Sequence, residues 1–194
     1  MSIDQARIER WRALLLAGDT AEIRQVFEAD GARGPSIKWR PEADELHPKP
    51  LRFAFDHWTE ALARLGRPKT SLVDPVALAP ALGYLMLVDA VDGGQDFVYR
   101  LFGSILGSVS GFDMTRRRLS EHPASPYIRE FSTALYRAAI ERREPVWSHY
   151  GPAVSVTTTA WERIILPLVD DADEVCRFLV AIVPIGLDGL PLRN

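Results

Sequence analysis

The sequence predicts an α+β fold, a five-stranded antiparallel sheet with helices on one face, preceded by a helical extension. Three observations predict it. Helical periodicity dominates as far as Leu65, runs of strand length begin beyond Ala81, and one strong helix divides two strands from three later ones. A sheet of that kind is apolar toward its helices, and the space between them suits a small cavity.

Composition sets the frame. The 194 residues are 47% hydrophobic, enough for one domain with an extension. A net charge of −3 gives no global basic field, so nucleic acid is not an expected partner. Three lysines stand against 20 arginines; because the arginines are distributed, the bias reads as coding composition rather than an anion site. Cys176 is the single cysteine, which excludes an internal disulfide. No run approaches the roughly 18 apolar residues of a membrane helix, and the start of the chain lacks signal-peptide character. A soluble, cytoplasmic protein is expected, with no membrane partner.

The first helix is expected from about Ile3 to Ala17, with Ile8, Trp11 and Leu15 on one face and Gly18 as its stop. Asp19 and Glu22 have the spacing of a capping box for a second helix, whose stripe is Ile23, Val26 and Phe27 and whose end is Gly31. Residues 31–50 carry six Gly and Pro residues without a period and read as a linker. The third helix, Leu51 to Leu65, places Leu51, Phe55, Trp58, Leu62 and Leu65 on a heptad-like seam. That seam is a candidate dimer or partner contact, or a face packed on its own domain.

Tyr84–Val88 and Phe97–Phe102 read as a hairpin around Asp92-Gly93-Gly94. Ser104–Ser110 suits a short helical turn between glycines. Ser125 and Pro126 open the strong helix, with Ile128, Phe131, Leu135 and Ala138 as its buried stripe. Val146–Tyr150, Trp161–Val169 and Val175–Ile185 supply the last three strands, the final pair joined through Asp170–Asp173.

On these elements lie Trp58, Gly66-Arg67-Pro68, Asp74-Pro75, Leu82, Leu85–Asp89 and Phe97–Gly103. Gly111–Thr115, Leu119, Glu144-Pro145-Val146 and Trp161–Leu168 follow in order. In these motifs the chain resembles a bacterial subfamily of short PAS domains. The ordered set spans about Leu51 to Ile185, dividing the chain into an extension and linker (1–50) and a PAS-like domain (51–188). It implies a PAS fold and a sensory or regulatory role in signal transduction, without naming a ligand. Where the family usually has glycine after Asp113-Met114-Thr115, this chain has Arg116, which must find another conformation or tolerate strain.

No catalytic motif is present, so catalysis is not expected and no catalytic residue is named. His47, His57, His122 and His149 are scattered, which argues against a metal site. The cofactor, if any, is unknown. Cys176 lies in a strand, outside the context of a flavin-adduct cysteine, and His122, followed by Pro123, reads as an exposed loop residue rather than a haem ligand. Arg100 sits inside an apolar strand, either paired to a carboxylate such as Glu162 or recognising an anion at a pocket edge. Simple alternation groups it with Val98 and Phe102, opposite Phe97, Tyr99 and Leu101. Tyr99, Arg100, Trp147, His149, Trp161 and Arg163 are the ligand-binding candidates, each with sheet packing as the alternative. Arg116-Arg117-Arg118 reads as a solvated loop.

No kinase, cyclase or DNA-binding module is read in the sequence, so any signal should leave by contact. The leading expectation is a sensor that binds a small molecule, dimerises or meets a partner protein. The alternative is a ligand-free interaction module, and more remotely a small enzyme with an unfamiliar site.

Overall fold

A computed structural model describes residues 3–74, 76–151 and 157–192, with Leu72 described in its backbone. Pro75 of the Asp74-Pro75 motif lies outside the described residues. The helices are α1 (Gln5–Leu16), α2 (Ala21–Ala29), α3 (Lys49–Leu65), α4 (Ser104–Ser110) and α5 (Pro126–Arg142). The strands are β1 (Ser36–Trp39), β2 (Leu85–Val91), β3 (Asp96–Phe102), β4 (Val146–Tyr150), β5 (Thr158–Val169) and β6 (Val175–Gly186). They form one antiparallel sheet in the order β1-β4-β5-β6-β2-β3. No helix among the described residues is long and apolar enough to cross a membrane.

The α+β plan therefore stands, with two differences. The sheet has six strands rather than five, because Ser36–Trp39, inside the segment read as a linker, pairs with β4 at the edge. Ile37 and Trp39 face the core, and the Trp39 indole donates to the Leu15 carbonyl at 2.9 Å. The second difference is that helices cover both faces. α5, with α1 and α2 outside it, packs on the inner face against Val88, Phe97, Ile165, Phe178 and Val180. α3 packs on the outer face, where Leu51, Ala54 and Trp58 meet Ile164, Leu166 and Leu179. The continuous apolar runs Ile164–Val169 and Phe178–Val183 require this, since alternate residues of a buried run point to opposite faces. Trp58 fastens α3 by donating its indole N–H to the Pro167 carbonyl at 2.9 Å.

The N-terminal helices are bound to the domain by more than apolar contact. Ile8, Trp11, Leu15, Ile23 and Phe27 are fully buried. Glu130, on the outward side of α5, accepts from the Asp4 backbone N–H and from Arg7, both at 2.9 Å. Arg137, also buried, donates to Glu9, Gln5 and the Gly94 and Gln95 carbonyls. The expected capping box does not form. Thr20 is the N-cap of α2, Asp19 accepts from the Ala21 N–H at 2.8 Å, and Glu22 turns back to Arg10 and the Trp11 indole. A side chain that can satisfy a buried indole is drawn away from its own helix end.

The Arg116 turn keeps the geometry a glycine would give. Arg116 lies at φ 67°, its N–H donating to the Tyr99 carbonyl at 2.7 Å, while the Tyr99 N–H donates to the Arg117 carbonyl. Two cross-links to β3 thus hold a non-glycine residue in the left-handed region, at a cost of about 1 kcal/mol. Replacing Arg116 by Gly is expected to raise stability by about 1 kcal/mol, read as a higher denaturation midpoint at unchanged slope. An unchanged or lower midpoint would show that the Arg116 side chain earns its place elsewhere.

Candidate functional site

The site begins with an irregularity in β3. Leu87 pairs with Leu101 but Val88 pairs with Tyr99, so Arg100 is the extra residue of a bulge. Simple alternation is broken there. Tyr99 and Phe102 both face the inner side, Leu101 packs in the outer cluster, and Arg100 projects into solvent. The grouping of Phe102 with Arg100, expected from a period of two, is corrected by this single inserted residue.

Behind the bulge, the inner face, α4, the start of α5 and the loop between them line a half-open cavity of about 330 Å³. Its walls are mainly apolar, with Met86, Leu106, Phe112, Ile128 and Ile182 among them. The polar groups include Tyr99, Ser110, His122, Arg129, Ser132, Thr158 and Arg163, with Trp161 and Tyr150 on the strand side. Among the described residues no Asp or Glu contributes to the wall.

Arg163 is the most unusual of these groups. Its side chain is 2% exposed. Nε donates to Ser148 Oγ at 3.1 Å, and Nη1 reaches Ser132 Oγ at 3.5 Å. The guanidinium lies 5.4 Å from the Tyr150 ring centroid, 5.7 Å from Phe131 and 5.9 Å from Tyr136. Those ring faces stabilise a cation electrostatically without accepting its hydrogens. Burial pushes the Tyr136 hydroxyl up to about 12 against the pull of Arg163, and burial holds Tyr99 well above the ordinary tyrosine range. Both phenols are therefore neutral at neutral pH.

His122, expected as an exposed loop residue, is on a loop but largely enclosed. Phe112 meets it edge-on at 4.9 Å and Tyr99 lies 6.4 Å away. Its Nδ1 accepts from the Ala124 N–H at 3.1 Å, which places the proton of the neutral ring on Nε2. Burial, reinforced by the charge of Arg129, pulls its pKa down to about 4. The local sequence is polar, and nothing in it signals a burial supplied by Phe112 and Tyr99 from elsewhere in the chain.

The sequence candidates divide between the two faces. Tyr99, Trp161 and Arg163 line the cavity. Trp147 and His149 lie on the opposite side of β4 from the inward-facing Val146, Ser148 and Tyr150, their rings stacked 6.0 Å apart. Burial and Arg33 lower the His149 pKa. Glu162 is raised by burial, partly offset by a 2.9 Å hydrogen bond from the Trp147 indole. Arg100 pairs with Asp89 at 2.6 Å instead of Glu162, since the bulge turns it toward β2. Asp89 also accepts from Arg177; burial raises its pKa, but the two arginines outweigh burial and hold it below the usual range. Of the α3 seam, Leu51 and Trp58 are buried in this chain's outer cluster, Phe55 and Leu62 pack against it, and Leu65 is 43% exposed. Cys176 lies outside the cavity wall, and no group of three or more metal-binding side chains occurs among the described residues.

Two polar members of the wall that were not candidates, Arg129 and Ser132, sit one turn apart on α5. Ser132 interrupting an otherwise apolar helix face was the readable signal. Because His122 is protonated less readily folded than unfolded, stability should be complete above pH 6.5 and fall by about 3 kcal/mol as pH drops toward 4. In His122→Asn, whose amide oxygen can replace Nδ1, that part of the slope should vanish in denaturant titrations across this window. An identical slope would place the proton-sensitive group elsewhere.

Comparison with protein families gives a match. The family described as PAS domain matches residues 46–183. The search of curated proteins found no match. A solved structure titled "Structure of an RNA-binding Light-Oxygen-Voltage Receptor" aligns with a TM-score of 0.39 and 11% identity, covering 93% of this chain. The chain spans 59% of that receptor's length. With the family match covering most of its residues, the chain belongs to the PAS-domain family of sensory and regulatory domains.

Proposed function

We propose that this protein is a sensor whose inner cavity takes a small molecule and whose occupancy is relayed by contact to a partner protein or a second copy. The observation that carries this reading is the cavity itself. At about 330 Å³ it falls within the range of roughly 300–1,000 Å³ typical of small-molecule sites, and it joins an apolar wall to a few convergent polar groups. In this reading the chain catalyses nothing and acts through binding alone.

In this reading the aromatic packing supplies the relay route. Tyr150 lines the cavity, and its ring meets Phe27 of α2 edge-on at 6.2 Å. Phe27 also meets Phe131 and Tyr127 of α5, at 5.6 and 4.7 Å. A ligand that shifts Tyr150 or α5 therefore presses on the N-terminal helices, and differential affinity for the two arrangements would drive the change. α1 and α2 are the surface through which occupancy would be read.

The test is thermal unfolding against a metabolite panel. A true ligand at about a hundred times its dissociation constant should raise the melting temperature by about 5–10 °C. Val109→Phe, which narrows the cavity, should keep the fold and abolish that rise. A panel-wide absence of stabilisation, or a rise unchanged in Val109→Phe, would contradict the reading.

A further inference from the structure

We infer that the cavity selects a small organic monocarboxylate, with Arg163 as the residue that receives the carboxylate. The inference rests on the cavity being a ligand site and goes beyond it by naming the ligand's chemistry. Buried arginines are ordinarily matched by a carboxylate, because a guanidinium removed from water loses several kcal/mol of solvation. The other buried arginine among the described residues, Arg137, has such a match in Glu9. Arg163 has none within 4.0 Å among the described residues. Its Nη2 is buried and meets no hydrogen-bond acceptor there. Among the described residues its contacts are two serine hydroxyls, three aromatic rings and the neighbouring Tyr136 hydroxyl, with no carboxylate among them.

The surroundings favour an anion at that point. Arg129 adds a second positive charge to the wall, donating through Nη1 to the Ser120 carbonyl at 3.2 Å. His122 supplies a neutral ring whose Nε2 is a donor. Ser132 supplies a hydroxyl beside Nη1. These groups can satisfy a planar carboxylate, whose two oxygens suit a guanidinium fork. The rest of the wall, including Met86, Leu106, Phe112 and Ile182, suits an apolar or aromatic body attached to it. The ligand class is thus an acid with one charged end and a compact apolar remainder.

The experiment compares phenylacetate and hexanoate with their neutral amides, and with inorganic phosphate, by calorimetric titration of the full chain. Each acid should bind at least about tenfold more tightly than its amide, the margin a charge-assisted hydrogen bond supplies. Phosphate should bind no more tightly than the amides. In Arg163→Met the acid should lose that advantage while the amide's affinity stays within about twofold. Arg163→Lys, which retains charge without the fork, should recover part of it and guards against a folding defect in the methionine variant. Equal binding of acid and amide would overturn the inference while leaving the cavity reading intact. Binding of phosphate alone would overturn the carboxylate class. Failure of both acids and both amides to bind would overturn the inference together with the ligand reading on which it rests.

Discussion

The structure depends on one constraint: the β5–β6 pair is apolar on both faces and must be covered twice. These two twelve-residue strands form the longest ladder in the sheet and lie at its centre. Their inner faces require α5, and their outer faces require α3. At about 25 cal/mol per Å² of apolar surface, each buried aliphatic side chain contributes about 1.5–3 kcal/mol, so neither layer is dispensable. Covering the outer face with α3 uses most of the seam that would otherwise be available to a partner. Covering the inner face leaves a gap toward the β3 side, where α4 and the loop to α5 replace continuous helix, and the cavity lies in that gap.

The N-terminal helices follow from the same logic. α5 is buried on nearly every side, which includes Glu130, Ser132, Thr133 and Arg137. Charged groups in such a helix need partners, and α1 brings Arg7, Gln5 and Glu9 to supply them. Arg163 differs in having hydroxyls and ring faces in place of a carboxylate, at the wall of a cavity. Protein interiors tolerate that arrangement poorly unless something compensates it, which links an electrostatic feature of the core to recognition.

Most of the architecture was legible in the sequence because it is written in strong periods. The stripes of α1, α3 and α5 and the strand–helix–strand order needed only spacing. The parts that were not legible depend on single residues or distant contacts. β1 is four residues long and lies between Pro35 and Pro41, so its alternation of Ser36, Ile37, Lys38 and Trp39 was masked by turn signals. The bulge at Arg100 defeats a period-two reading because one extra residue reverses every side chain beyond it. Trp161 and Arg163 stand two residues apart on β5, yet only the fold shows Arg163 surrounded by rings from α5 and β4. His122 acquires its environment from Phe112 and Tyr99, and no local pattern could have announced it. Arg116 shows the reverse case: the sequence marked a strained turn, and the backbone keeps the left-handed conformation.

The central claim is that the inner cavity is a ligand site organised around a buried guanidinium. The most direct measurement is a high-resolution crystal structure of protein purified rapidly, without steps that strip bound metabolites. The account predicts continuous density in the cavity, with an acceptor within about 3 Å of Arg163 Nη2. A cavity closed by its own side chains, with Arg163 turned to a protein carboxylate, would contradict it.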